Sequence, residues 1–132
     1  MTTLMTHSVR SDKDFTHTMD TLIMKIENAS FKVLHVHDVQ ATLASKGIPH
    51  GPYRIVEFCR APAAKKVLDA DPVIGLLLPC RIVVFETNGA TEVVAMSPRI
   101  VRAFFPDAEL DNLPEQIDEE IREIVFTLNE KQ

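Results

Sequence analysis

A chain of 132 residues with 45% hydrophobic and 25% charged side chains suits one globular domain that needs no disulfide or structural metal. It lacks both an apolar run of the roughly 20 residues that a membrane helix requires and a basic-then-apolar export signal, so we expect a cytoplasmic protein that does not bind membranes. The net charge of −5 is concentrated from residue 107 onward, where nine acids face two bases. Without a basic stripe or any Trp, nucleic-acid binding is not expected.

The first part of the chain predicts a strand, a helix and a second strand. Leu4 to Val9 forms a weakly alternating strand, and apolar residues then recur at helical spacing over about 12–28. Ser11 and Asp14 have the spacing of a capping box at the start of this helix. The run of β-branched and aromatic residues over 31–37 predicts the next strand.

The middle of the chain repeats this alternation. Asp38 is placed to cap a short helix that ends before Gly47, and the next strand is predicted over Tyr53 to Cys59. Pro62 fits the start of a third helix, which Asp71-Pro72 ends. We expect the buried stripe of this helix to consist of three residues: Ala64, Val67 and Leu68.

The strongest local signal is a β-hairpin. Asn88-Gly89 separates two β-rich runs, Arg81 to Thr87 and Ala90 to Met96, and both turn residues tolerate a positive φ. Ser97-Pro98 ends the second strand and opens a short helix.

The last predicted element is an acidic helix over about 113–129, with Asp111 or Asn112 as its cap. Its apolar stripe consists of Ile117, Ile121, Ile124, Val125 and Leu128. Helices with one apolar stripe need a sheet to cover, and the hairpin makes part of that sheet antiparallel. The sequence therefore predicts an α+β fold, a two-layer sandwich.

One block of the chain resembles the domain-of-unknown-function family 302. The residues that carry the resemblance are Val56 to Cys59, Ala64, Leu68, Asp71-Pro72, Ile74 to Cys80 and Arg81 to Glu86. The resemblance implies a single domain over 1–132, with helices on one face of a mostly antiparallel, curved sheet, broadly like the TATA-binding-protein fold. It also implies a homodimer, but no reaction.

The chain departs from the family pattern at one point. Members usually have Cys-Asn-Pro after the third strand, whereas this chain has Cys59-Arg60-Ala61-Pro62. Arg60 thus replaces the Asn that would cap the following helix, and any function that needs that Asn is in doubt.

The candidate site is a set of three residues, Glu57, Cys59 and Cys80. One cysteine ends a strand and the other begins one, so both are predicted at the same edge of the sheet, and Glu57 shares a strand face with Cys59. The leading hypothesis is a dimeric module that binds a small ligand, cofactor or metal there. The alternatives are a cysteine-dependent redox protein or enzyme using the same residues, and a structural or interaction domain whose cysteines are inert.

A second candidate site is the pair His35 and His37. Two imidazoles at alternate positions of a strand share a face and can supply half of a Zn, Cu or Fe site, although solvent-facing histidines are the commoner explanation. No glycine-rich phosphate loop or known catalytic motif is present, so the identity of any cofactor and of any reaction stays unknown from the sequence.

Overall fold

The computed structural model describes residues 5–130 and contains one sheet of five strands. The strands are β1 (Thr6–Ser11), β2 (Lys32–Asp38), β3 (Tyr53–Cys59), β4 (Cys80–Thr87) and β5 (Ala90–Met96). Their order across the sheet is β1-β5-β4-β3-β2, and every neighbouring pair is antiparallel. The predicted α+β class is confirmed.

Five α-helices and two 3₁₀ segments complete the fold. The helices are α1 (Phe15–Asn28), α2 (Val39–Ala44), α3 (Ala61–Ala70), α4 (Val101–Phe104) and α5 (Leu113–Phe126). The 3₁₀ segments are Pro72–Leu77, which follows α3, and Pro98–Ile100, which leads into α4. No helix within residues 5–130 combines the length and the apolar character that crossing a bilayer requires.

The core lies between one face of the sheet, here called the inner face, and the helices α1 and α5. Alternation along β3, β4 and β5 sends every second side chain into this layer. The fully buried members include Leu22, Ile26, Val56, Phe58, Ile82, Val84, Val93, Ile121 and Val125. All five residues of the predicted α5 stripe are buried, so that prediction is confirmed.

Local chemistry explains where several elements begin and turn. The Asp14 side chain caps α1 by accepting a hydrogen bond from the His17 N–H at 2.8 Å. The N-cap is therefore Asp14 itself and not Ser11, which the predicted capping box had required. Asp38 caps α2 in the same way, through the Ala41 N–H at 2.9 Å. At the predicted hairpin turn, Asn88 and Gly89 have φ of 52° and 78°, the conformation for which this dipeptide is favoured.

Two further expectations about individual elements are wrong. β1 runs over Thr6–Ser11 instead of ending at Val9, while Leu4 lies outside the described residues. Helix α3 has no fully buried side chain, and Leu68 is 40% exposed. The reason is that α3 packs mainly against the 3₁₀ segment that follows it, where Ile74 fills a small second core.

Within residues 5–130, no long helix covers the other face of the sheet, here called the outer face. Its centre is a patch of half-buried side chains: Tyr53, Ile55, Val83, Phe85 and Val94. Tyr53 and Phe85 stack there with ring centroids 5.6 Å apart. Two ion pairs flank the patch, Arg10–Glu92 at 2.9 Å and Arg81–Glu57 at 3.2 Å.

Candidate functional site

Both cysteines lie at one end of the sheet. Cys59 is the last residue of β3, and Cys80 is the first residue of β4, where it pairs with Phe58. Both are free thiols and both line one cavity. The structure therefore brings the two predicted residues together, and the cavity is the natural place to look for a site.

The cavity, here called the end cleft, has a volume of about 80 Å³. It is lined by the ends of the strands, α3, both 3₁₀ segments and the start of α5, and its surface is overwhelmingly apolar. The side chains that form its walls include Phe31, Ala64, Val67, Leu77, Met96 and Ile117. Among the residues that the structure describes, Arg60 and Arg81 are the only ones that bring full charges to this lining.

The Cys80 thiol lies in surroundings that favour its neutral form. Burial first, and then the neighbouring Cys59, raise its pKa from 9.0 to about 11, while a backbone hydrogen bond and Arg81 act in the opposite direction. At neutral pH Cys80 is therefore a protonated thiol and a poor nucleophile. It contributes a small, polarisable wall to the end cleft rather than a reactive anion.

Glu57 does not line the end cleft. Its side chain lies on the outer face, 17% exposed, where it accepts hydrogen bonds from His37 Nε2 at 2.7 Å and Arg81 Nε at 3.2 Å. These donors, His37 first, lower the pKa of Glu57, so it is an ionised carboxylate at neutral pH. The three predicted residues are thus divided between two places, and Arg81 contacts both.

The two predicted metal ligands stand side by side on the outer face. The rings of His35 and His37 meet edge to face with centroids 4.3 Å apart, and His37 is engaged by Glu57. In the part of the chain that the structure describes, no group of three or more potential metal ligands occurs. A metal held by this pair stays a prediction.

Arg60 has a role that sequence reasoning missed. Its guanidinium donates to both Glu120 oxygens, at 2.9 and 2.8 Å, and to the Ala29 carbonyl at 2.6 Å. It also lies 4.2 Å from the centroid of the Phe31 ring. Arg60 makes no side-chain cap on α3, as expected from the loss of the Asn, and instead ties this corner of the end cleft to α5.

The fold and the end cleft together define a small α+β domain that encloses an apolar space at one end of a five-stranded antiparallel sheet. The chain belongs to the family described as Domain of unknown function DUF302, whose model matches residues 7–128. The family membership expected from the sequence is confirmed.

A solved structure supports the fold. The chain is similar to the crystal structure of an uncharacterized conserved protein DUF302 from Bacillus stearothermophilus, with a TM-score of 0.88 and 23% identity. The match covers 96% of this chain and 100% of that one, and at this identity it speaks to the fold alone. No curated protein matches the chain.

Proposed function

We propose that this domain is a binding module that takes the apolar body of a small ligand into the end cleft, beside Cys59 and Cys80. The observation that carries the proposal is the lining itself. Several separate elements converge on one apolar space, and the few polar groups stand at defined positions within it. Small-molecule sites in proteins commonly have this composition.

The unfilled apolar surface of the cleft supports the same proposal. Side chains that border an unfilled space lack the van der Waals contacts that close packing provides elsewhere, and the end cleft leaves about 80 Å³ unfilled. Larger side chains at Ala63 or Ala64 could reduce that space. A ligand that fills it recovers contacts that the free protein lacks.

The experiment uses hexan-1-ol as a neutral apolar probe. Binding to the wild-type protein is expected to raise the melting temperature and to shift amide resonances of residues that line the end cleft. Ala64→Phe, which places a ring in the cleft, should abolish both effects. Ala70→Phe is the matched control, because Ala70 lies on the same helix, is exposed and does not line the cleft. Equal responses in the two variants would contradict the proposal.

We further propose that the protein is a homodimer in which a second copy covers the outer face. The central patch there is apolar, and each of its flanking ion pairs joins one acid to one base, so these pairs bring no net charge to the contact. A second copy therefore meets no repulsion from these charges, although the chain as a whole carries −5. This supports self-association through an isologous contact.

Sedimentation equilibrium tests the dimer. Val83→Glu places a charge in the centre of the outer face and should shift the protein to monomers. Leu76→Glu is the control, because Leu76 is 78% exposed and does not belong to this face. A monomeric wild-type protein at micromolar concentration, or a dimer that withstands Val83→Glu, would argue against this interface.

A further inference from the structure

The two guanidinium groups of the end cleft differ in how fully they are engaged. Arg60 uses Nε, Nη1 and Nη2 in hydrogen bonds to Ser30, Ala29 and Glu120, and its plane rests on Phe31. Its guanidinium therefore has few free donors for a ligand. Its contacts make Arg60 a structural part of the wall of the end cleft.

Arg81 is engaged through Nε alone. This nitrogen donates to Glu57 on the outer face, and within residues 5–130 no acceptor pairs with Nη1 or Nη2. The side chain is 42% exposed and also lines the end cleft. An arginine with both Nη groups unused presents the planar fork that matches a carboxylate.

We propose that the ligand of the end cleft is a small monocarboxylic acid, whose apolar body occupies the cleft and whose carboxylate accepts two hydrogen bonds from Nη1 and Nη2 of Arg81. This inference rests on the proposed binding function and adds the chemical class of the ligand. It makes Arg81 the residue that fixes the orientation of the ligand at the apolar lining.

The charges around Arg81 favour a monoanion over a dianion. Glu57 is ionised and already offsets the charge of Arg81 from the Nε side. A monocarboxylate therefore adds one uncompensated negative charge near Glu57, whereas a dianionic phosphate adds two. A neutral ligand adds no charge but cannot form a bidentate ion pair with the guanidinium fork. The monocarboxylate gains this pair at the smaller electrostatic cost.

The test compares hexanoate with hexan-1-ol, which have the same chain length but different head groups. Hexanoate should bind the wild-type protein about tenfold or more tightly than hexan-1-ol, because charge-assisted bidentate hydrogen bonds are the strong ones. Arg81→Gln should remove that preference, because it should weaken the binding of hexanoate far more than the binding of hexan-1-ol. Arg99→Gln is the matched control, because Arg99 is exposed on a neighbouring segment and does not line the cleft.

The outcomes separate the two proposals. Equal affinity for acid and alcohol, with both lost in Ala64→Phe, overturns the carboxylate inference and supports the binding function. A preference for hexanoate that survives Arg81→Gln also overturns the inference. Failure of the wild-type protein to bind either probe overturns both. Hexyl phosphate binding more tightly than hexanoate would overturn the single-charge argument. Circular dichroism verifies that each variant is folded.

Discussion

The inner layer and the end cleft belong to one small domain but are packed very differently. In the inner layer, α1 and α5 cover the sheet with side chains that are almost completely buried, and among the described residues no buried side-chain polar atom lacks a hydrogen bond. At the end cleft, α3 has no fully buried residue, and Leu76 of the adjoining 3₁₀ segment is 78% exposed. Stability is concentrated in the first region, while the second keeps apolar surface unfilled.

This contrast teaches where to search for function in a chain without a catalytic motif. In the inner layer, the apolar positions that the sequence pattern predicts are also closely packed in the structure, as expected of a region whose role is stability. At the end cleft, apolar residues are abundant but do not fill the space between them. Such disagreement is typical of sites that bind something.

The largest effect is expected in the core. Phe58→Ala removes a side chain with no solvent exposure and should lower the free energy of unfolding by about 3–5 kcal/mol. Val67→Ala, in the lining of the end cleft, should lower it by less than about 1.5 kcal/mol, since its side chain is only partly buried. Urea denaturation measures both. Equal losses would show that the two regions do not differ in packing.

The next effect is a pH dependence of the free energy of unfolding, and it depends on the surroundings of Cys80 in the end cleft. The folded state holds the Cys80 proton up to about pH 11, whereas the unfolded state releases it near 9.0. Because the pKa is raised in the folded protein, the stabilisation is complete below pH 9 and is lost as the pH rises toward 11. The loss should be about 2–3 kcal/mol.

Cys80→Ala isolates this effect from the titration of Lys and Tyr side chains. The difference in unfolding free energy between wild type and variant should be constant below pH 8 and shrink between about pH 9 and pH 11. Cys59→Ala is the comparison. A difference that does not change with pH would show that Cys80 is not held in an apolar environment.

A smaller effect is expected at a polar contact within the well-packed region. Asp118 on α5 is only 7% exposed and accepts a hydrogen bond from His7 Nε2 of β1 at 2.7 Å. Asp118→Ala leaves that imidazole unpaired and should cost about 1–3 kcal/mol. Glu119→Ala, at the neighbouring exposed position, should stay within about 0.5 kcal/mol. Similar values for the two variants would show that the His7–Asp118 contact contributes nothing.

The smallest effect is expected at the boundary between the two regions. Arg60→Met keeps the apolar stem but removes the hydrogen bonds to Glu120 and Ala29, and should cost about 1 kcal/mol because the pair is partly solvated. Lys65→Met, which removes an exposed ion pair with Asp69, should be neutral to within about 0.5 kcal/mol. An Arg60→Met variant as stable as wild type would show that this contact does not brace the cleft.

The sheet and the last helix were predictable because their signals are local. The bounds of β3 and β5 agree with the predicted runs, and Asn88-Gly89 fixes the hairpin between β4 and β5 through its backbone conformation alone. The spacing of the isoleucines in α5 likewise identifies its buried face. Hydrophobic periodicity identifies an element that buries one face against a single neighbouring layer.

The end cleft was only partly predictable because its parts are distant in the sequence. That Cys59 and Cys80 lie at the same end of the sheet follows from the antiparallel order of β3 and β4. The walls of the cleft around them, however, also include residues of α3, both 3₁₀ segments, β5, α4 and α5. Glu57 was predicted beside Cys59 from strand alternation. In the structure its carboxylate instead contacts His37 and Arg81 on the outer face and does not line the cleft. No periodic signal couples Arg60 to Glu120 across 60 positions.

The pairing of β1 with β5 has a consequence for how the chain folds during synthesis. Thr6 pairs with Met96, and His7 reaches Asp118, so the first strand can dock only after most of the chain is made. Until β5 is made, β1 has no partner strand and one edge of β4 is open, while β2, β3 and β4 can already pair with one another. A long-range contact of this kind slows folding, and the growing chain must keep β1 and the open edge of β4 from pairing with other chains until β5 joins them.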